Sequence, residues 1–121
     1  MKFTGVKAEG RTGEDSDFCT FDSEDVNFIV MANPTKHSDK QPLFLTKHGN
    51  YYQIGTLDGL AIILEKIGFT KLDSINVVNL NNIVSIHEDI SFVHAYFENG
   101  SYTSISRKNL YKVNNIPRKT I

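Results

Sequence analysis

The sequence has little of what would mark a membrane, secreted or disulfide-bonded protein. The chain of 121 residues has one cysteine, Cys19, and no apolar run near the roughly 18 residues that a membrane helix needs. Its opening stretch, "MKFTGVKAEGRTGED", lacks the apolar centre of a signal peptide. A lone cysteine excludes an internal disulfide and a multi-cysteine metal site, and we expect Cys19 to be a small core residue. We therefore expect a cytoplasmic protein with no membrane contact.

Net charge is also small, at -1 at neutral pH, so nothing attracts the whole chain to nucleic acid. The charges are unevenly distributed, however. The charged residues among 9–25 are all acidic except Arg11. The chain from Ser101 onward has no acid and carries Arg107, Lys108, Lys112, Arg118 and Lys119. This asymmetry predicts a local basic surface near the C-terminus. For Arg118 and Lys119 we favour a solvated tail.

Length and composition predict one globular domain, because single domains commonly hold about 100 to 200 residues. The content is 40% hydrophobic and 22% charged, as in ordinary folded proteins. Within this domain we expect residues 1–22 to be an acidic N-terminal segment in the first-strand region. Residues 114–121 are expected to form a basic C-terminal tail.

Most of the chain has the pattern of strands. "VNFIVMA", residues 26–32, is an apolar run of β-formers that gives way to a polar loop over residues 33–42. "LFLT" and "YYQI" then flank "KHGN", which predicts a hairpin that turns at His48, Gly49 and Asn50.

One segment has helical spacing instead. In "TLDGLAIILEKIGF" apolar residues recur three and four positions apart, which predicts a helix over residues 56–67 with Thr56 as N-cap and Gly68 as C-cap. Gly59 weakens a helix by about 1 kcal/mol relative to alanine. A hairpin through Asp58 and Gly59 is therefore the alternative assignment.

A second hairpin is predicted from "ISFVHAYFENGSYTSIS". Asn99 and Gly100 between alternating runs are typical of a two-residue type I′ turn, in which both residues have positive φ. This turn would pair Phe97 with Tyr102 and would place Arg107 opposite Phe92.

Asparagines are concentrated in "FTKLDSINVVNLNNIVSI", residues 69–86. "INVV" and "IVSI" read as strands and "NLNN" as the turn between them, because asparagine side chains bond nearby backbone groups. Asn79 is then structural. The polar residues ahead of the strand would form an exposed knuckle, namely Lys71, Asp73, Ser74 and Asn76.

No arrangement of residues indicates catalysis or metal binding. The histidines at positions 37, 48, 87 and 94 lie in different segments, and His87-Glu88-Asp89 is more typical of a charged turn than of a metal site. The sequence has no phosphate-binding glycine loop and no serine in a nucleophile-elbow setting. We therefore predict a non-enzymatic protein with no cofactor and no metal.

Four stretches together resemble the LytTR-type DNA-binding domain of bacterial transcriptional regulators. These are "EDVNFIVMAN", "FLTKHGNYYQIGTLDGLAIIL", "FTKLDSINVVNLNNIVSI" and "FENGSYTSISRKNL", in the family's order over residues 23–113. The resemblance implies a mainly β, elongated, multi-strand architecture with one short helix. It also implies a stand-alone regulator that binds double-stranded DNA by inserting loops into major grooves, as a homodimer or in pairs on repeated sites.

The family's DNA contacts come from three segments. Carried over to this chain, these are the loop after the first motif strand, the segment before "INVV", and the arginine after the last strand. The candidate contact residues are Lys36, His37, Lys40, Lys71, Asp73, Ser74, Arg107 and Lys108.

This chain departs from the family at residues 73–75, where Asp73-Ser74-Ile75 replaces the usual His-Arg-Ser. A carboxylate repels phosphate, although it can also accept a hydrogen bond from the amino group of cytosine. The alternative function is therefore a protein-interaction module that kept the fold, lost DNA binding and acts on another regulator. A small-molecule sensor is a more distant third hypothesis.

Overall fold

The computed structural model describes residues 1–120, and within them the chain forms eleven strands and one α-helix. The helix is α1 (Leu57–Leu64), and a 3-10 turn extends it through Ile67. The strands are β1 (Lys2–Lys7), β2 (Phe18–Asp22), β3 (Val26–Ala32), β4 (Gln41–Thr46), β5 (Gly49–Tyr52), β6 (Phe69–Thr70), β7 (Asn76–Asn79), β8 (Ile83–Glu88), β9 (Val93–Phe97), β10 (Tyr102–Ser104) and β11 (Arg118–Thr120).

These strands make two sheets. The first has seven strands in the order β2-β1-β5-β4-β3-β7-β6, and the second has four in the order β10-β9-β8-β11. Neighbouring strands are antiparallel except for β8 and β11, which are parallel. The prediction of a mainly β protein with one short helix is confirmed.

Strand β3 is apolar along most of its length because both of its faces are covered. Phe28 and Val78 point into a core between the two sheets, where they meet residues such as Phe97. Ile29 and Val77 point the other way, into a second core that α1 closes with Leu57, Leu60 and Leu64. Alternate residues of a strand face opposite sides, so one short run can serve both cores.

The helix begins as predicted, and the 3-10 turn that continues it ends at the predicted Gly68. The Thr56 hydroxyl oxygen accepts a hydrogen bond of 3.0 Å from the backbone N–H of Gly59. Gly68 has a φ of 96°, the left-handed conformation that closes a helix C-terminus at little cost only for glycine. The alternative hairpin through Asp58 and Gly59 is wrong, because the N-cap uses the Gly59 N–H for helix formation.

The hairpin between β9 and β10 exists, but its predicted turn and register are wrong. The Gly100 N–H donates to the Phe97 carbonyl at 3.0 Å, and the Phe97 N–H donates to the Ser101 carbonyl at 3.0 Å. Within this turn only Gly100 has positive φ, at 86°. This is a three-residue loop with glycine in its left-handed position.

The Asn99 side chain accounts for the difference. It accepts hydrogen bonds from the Ser101 N–H at 3.1 Å and from the Ser101 hydroxyl at 2.6 Å, which holds the turn without positive φ at Asn99. The pairing therefore shifts by one residue, with Tyr102 opposite Tyr96. Arg107 does not face Phe92 across a ladder, and it begins a 3-10 segment instead.

Three smaller expectations are also corrected. The first hairpin turns at Lys47 and His48, one residue early, with Thr46 opposite Gly49. Arg118 and Lys119 lie in β11, paired with β8, rather than in a solvated tail. Cys19 is half-buried on β2, outside both cores.

No helix in residues 1–120 has the length and apolar character needed to cross a membrane.

Candidate nucleic-acid interface

Four segments gather at one end of the two sheets. Val30 pairs with Asn76, so the loop that follows β3 lies beside the segment that precedes β7. The Ser104 hydroxyl donates to Asp73 at 2.7 Å, which brings the end of β10 to the same place. His94 pairs with both Ser104 and His87, so the loop between β8 and β9 lies there too. We call residues 33–40, 71–75, 89–92 and 104–108 the loop end.

The loop end contains every contact residue that the sequence predicted. The three predicted segments are far apart along the chain and are brought together only by strand pairing and sheet packing. The residues are Lys36, His37, Lys40, Lys71, Asp73, Ser74, Arg107 and Lys108.

The loop after β3 presents its charged residues on an ordered turn. Ser38 organises the turn, since its carbonyl accepts from the Asn33 side chain at 2.7 Å and its hydroxyl accepts from the Thr35 N–H at 2.9 Å. Lys36, His37 and Lys40 are all exposed on this loop. Neither lysine takes part in an ion pair within residues 1–120.

Lys71 is directed elsewhere. Its ammonium group forms an ion pair with the Asp58 carboxylate in the first turn of α1, and its side chain is 33% exposed. This pair links the helix to the segment before β7. The Lys71 charge therefore has a carboxylate partner within the chain, at the protein surface.

Asp73 is held by the protein as well. Ser104 donates to one of its oxygens at 2.7 Å, and the Ser74 N–H donates to the other at 2.6 Å. These hydrogen bonds, that of Ser104 first, lower the pKa of Asp73 against the opposing effect of burial, and the nearby Lys108 charge also lowers it. Asp73 is accordingly an ionised side chain with both oxygens engaged.

Asn76 is fully buried, which corrects its predicted place in an exposed polar knuckle. Its side-chain oxygen accepts from the N–H groups of Leu72 at 3.2 Å and Asp73 at 3.0 Å. Its NH2 group donates to the Thr103 hydroxyl at 2.9 Å and to the Ser104 carbonyl at 2.8 Å. Asn76 thus joins the two sheets directly beneath the loop end.

The structural role predicted for Asn79 is confirmed. Its side chain donates to the Val26 carbonyl at 3.0 Å and accepts from the Asn81 N–H at 3.1 Å, which caps the 3-10 turn over residues 80–82. Asn82 donates to the same Val26 carbonyl at 3.1 Å. These asparagines bond backbone groups at the bend where the chain passes from one sheet to the other.

Arg107 holds the loop between β8 and β9. One terminal nitrogen donates to the Glu88 carboxylate at 3.1 Å, and the other donates to the carbonyls of Asp89 and of Ile90, the latter at 2.8 Å. Arg118 donates to the same carboxylate from β11 at 3.4 Å. A bidentate contact with guanine needs two parallel N–H groups, and three of the five in Arg107 already have protein acceptors.

Lys108 differs from its neighbour. It is exposed, and within the described chain it forms no ion pair. Three carboxylates belong to the same end of the molecule, namely Asp39, Asp73 and Asp89. The loop end is therefore mixed in charge rather than uniformly basic.

Sequence reasoning missed two apolar side chains at the loop end. Ile75 is 55% exposed and Ile90 is 95% exposed. Isoleucine is normally assigned to a core, which is why neither was considered. The available signal was that Ile90 lies directly after the charged turn His87-Glu88-Asp89, at the very start of the predicted hairpin.

A row of aromatic and imidazole rings covers part of the outer face of the second sheet. Phe92 and His94 have ring centroids 4.3 Å apart, Tyr96 and Tyr102 5.2 Å, and His87 and Tyr96 4.1 Å. Burial lowers the pKa of His94, and the neighbouring His87 lowers it further.

Among residues 1–120 no three His, Cys, Asp or Glu side chains are placed to hold a metal ion.

The protein is thus a β domain in which two packed sheets present loops, rather than a helix, at one end. No protein-family model matches the sequence, and no curated protein matches it. A solved structure does match, the LytTr DNA-binding domain of a putative methyl-accepting/DNA response regulator from Bacillus cereus. The similarity covers 94% of this chain and 94% of that one, with a TM-score of 0.69 and 15% sequence identity. The chain has the LytTR-type fold that its motifs predicted.

Proposed function

We propose that this protein is a transcriptional regulator of the LytTR type that binds double-stranded DNA sequence-specifically through its loop end. The supporting observation is that the three segments predicted to contact DNA lie together at one end of the sheets. Loops at the end of a rigid β scaffold are suited to entering a major groove, since their backbone is fixed by the strands.

The proposed contacts divide by chemistry. Lys36, Lys40 and Lys108 are exposed cations without protein partners in residues 1–120, so we assign them to phosphates. His37 and Ser74 are exposed hydrogen-bonding groups for phosphate or base edges. Lys71 remains in the interface with its charge shared with Asp58.

Arg107 and Asp73 are the candidates for base contacts. Arg107 retains two N–H groups beyond those that hold the loop between β8 and β9, and it can also act through that loop. Asp73 keeps unused lone pairs and is the one acceptor that a cytosine amino group would favour.

The decisive experiment is enrichment of a random duplex library on the purified protein, followed by anisotropy titration of the enriched duplex at several salt concentrations. We expect one motif, with log affinity falling by about 0.9 per decade of salt for each phosphate neutralised. A weak isotherm that does not change with salt, and no enriched motif, would reject the proposal.

A second experiment, with duplexes built from the enriched motif, tests how many copies of the protein bind. We propose paired binding on repeated sites, as a homodimer or as two monomers. Sedimentation of the protein alone and with duplexes carrying one or two copies of the motif would separate these cases. Two chains on the double site and one on the single site would support pairing on DNA.

A protein-interaction module is the second candidate, and the mixed charge of the loop end favours it. Asp39, Asp73 and Asp89 would repel phosphate, while exposed Ile75 and Ile90 suit a protein surface. Its test is to add this chain to a LytTR-type regulator on that regulator's own site. A changed affinity of that regulator, together with no DNA binding by this chain alone, would support this candidate.

A further inference from the structure

We infer that Ile90 is a base-reading residue that packs against the C5-methyl group of a thymine in the major groove. The inference rests on the proposed function and deepens it, because it names a base and an atom that the loop end recognises. Thymine alone presents a methyl group in the major groove, so an apolar side chain placed there discriminates between bases.

Ile90 is notable first for its exposure. Its side chain is 95% exposed in the loop between β8 and β9, beside the residues proposed to contact DNA. It belongs to neither hydrophobic core. Covering such a side chain with a binding partner removes apolar surface from water and so lowers the free energy of the complex.

Ile90 is also held in a fixed position, unlike a residue on a mobile loop. Arg107 donates to the carbonyls of Asp89 and Ile90. The Asp89 N–H donates to the Phe92 carbonyl at 2.8 Å and closes the turn. Isoleucine has few χ1 rotamers, so little side-chain freedom remains to be lost on binding.

Neighbouring cations would fix where Ile90 lies along the groove. Arg107 donates to the backbone carbonyl of Ile90, and the exposed Lys108 directly follows Arg107 in sequence. A cation that contacts the phosphates next to Ile90 would bring this loop close to base edges. The Arg107 guanidinium thus positions the apolar side chain of Ile90 against the bases, in addition to any contact that Arg107 itself makes with DNA.

The test uses the duplex enriched above, in which each thymine is replaced singly by deoxyuridine. This change deletes one methyl group and leaves every hydrogen-bonding group intact. We expect one position to lose about fourfold in affinity, the factor that corresponds to burial of one methyl group. The Ile90→Ala variant should bind the parent duplex less tightly by a similar factor and should be insensitive to deoxyuridine at that position alone.

Ile62→Ala is the matched control, because Ile62 is 75% exposed on α1, outside the loop end. It should keep the parent's full response to deoxyuridine. Equal deoxyuridine effects in the parent and in Ile90→Ala would overturn the inference while leaving DNA binding established. Failure of the library to yield any motif would instead reject the proposed function, and the inference with it.

Discussion

The Ser104 hydroxyl donates a hydrogen bond of 2.7 Å to the Asp73 carboxylate, and this contact joins the end of β10 to the segment before β7. The acid that departs from the family pattern is thereby turned toward the second sheet. Its charge nevertheless remains at the loop end, close to Lys108.

Removing that charge should strengthen binding to duplexes that present no cytosine amino group to Asp73. The Asp73→Asn variant keeps an acceptor for Ser104 but loses the repulsion of phosphate, which is worth about 1 kcal/mol for charges about 4 Å apart in water. Anisotropy at fixed salt measures the change. Glu98→Gln is the control, since Glu98 lies in the hairpin turn at the opposite end of the second sheet. Weaker binding by Asp73→Asn, confined to sites with one particular cytosine, would support the base contact proposed for Asp73.

Removing Arg107 should weaken binding without unfolding the domain. We expect Arg107→Ala to cost about 1 to 3 kcal/mol in DNA affinity, through a lost contact and a loosened loop at residues 89–92. Arg107→Lys should not restore binding, because an ammonium group cannot reproduce the planar fork. Arg118→Ala is the matched control, since Arg118 shares Glu88 but holds no loop carbonyl. Equal affinities for the parent and Arg107→Ala would remove Arg107 from the interface.

The exposed lysines should determine the salt dependence. Alanine at Lys36, Lys40 or Lys108 should each reduce the slope of log affinity against log salt by about 1, with little change in the preferred sequence. Titrations of each variant across the same salt series give the slopes. Lys66→Ala, at an exposed position in the 3-10 turn that follows α1, should leave the slope unchanged. An unchanged slope in all three variants would place phosphate contacts elsewhere.

Asn76 should be a stability determinant. The Asn76→Ala variant leaves the hydrogen-bonding groups of Leu72, Asp73, Thr103 and Ser104 without their partner in a buried site, so we expect a loss of about 3 kcal/mol in the free energy of unfolding. Urea denaturation provides the measurement. Asn81→Ala, at an exposed position in the same asparagine-rich segment, should change stability by less than about 0.5 kcal/mol. A small effect at Asn76 would mean that water replaces the lost amide.

Acid should destabilise the domain in part through Asp17. Backbone N–H donation from Thr12, first, and then from Gly13 lowers the pKa of Asp17 against the opposing effect of burial. Because its folded pKa lies below the ordinary value of about 3.9, its stabilising contribution is present above that pH and is lost as pH falls through the folded pKa. Urea midpoints between about pH 6 and about pH 3 should fall less steeply for Asp17→Asn than for the parent. Some slope should remain, since the pKa values of Asp22 and Asp73 are lowered too.

Local signals predicted the elements well. Thr56 and Gly68 bound the helix because capping is decided within one turn of chain. The run of residues 26–32 is strand β3 because its apolar side chains serve two cores. The family motifs then supplied the fold class, which propensity alone does not give, whereas the order of the strands in the two sheets was not predicted.

The sequence did not predict the register of the second hairpin or the contacts of Arg107. The first depends on two side-chain hydrogen bonds, and the second on residues distant in sequence. The register after Asn99 follows from two hydrogen bonds between its side chain and Ser101, and these compete closely with the type I′ alternative. The Arg107 guanidinium is held at the surface by Glu88 and the loop carbonyls. No spacing rule reveals such a pairing, because it arises only when β8 and the segment after β10 meet.

The loop end is assembled from four stretches of chain that meet only after both sheets have formed and docked. A ligand for this surface therefore binds the native state alone and shifts the folding equilibrium by mass action, by about 2.7 kcal/mol when its concentration is 100 times the dissociation constant. Contacts this far apart in sequence also slow folding, because long chain loops must close first. A bound target would thus stabilise the folded state. A chain released from its target would unfold more often than a bound one, and would therefore be degraded more often.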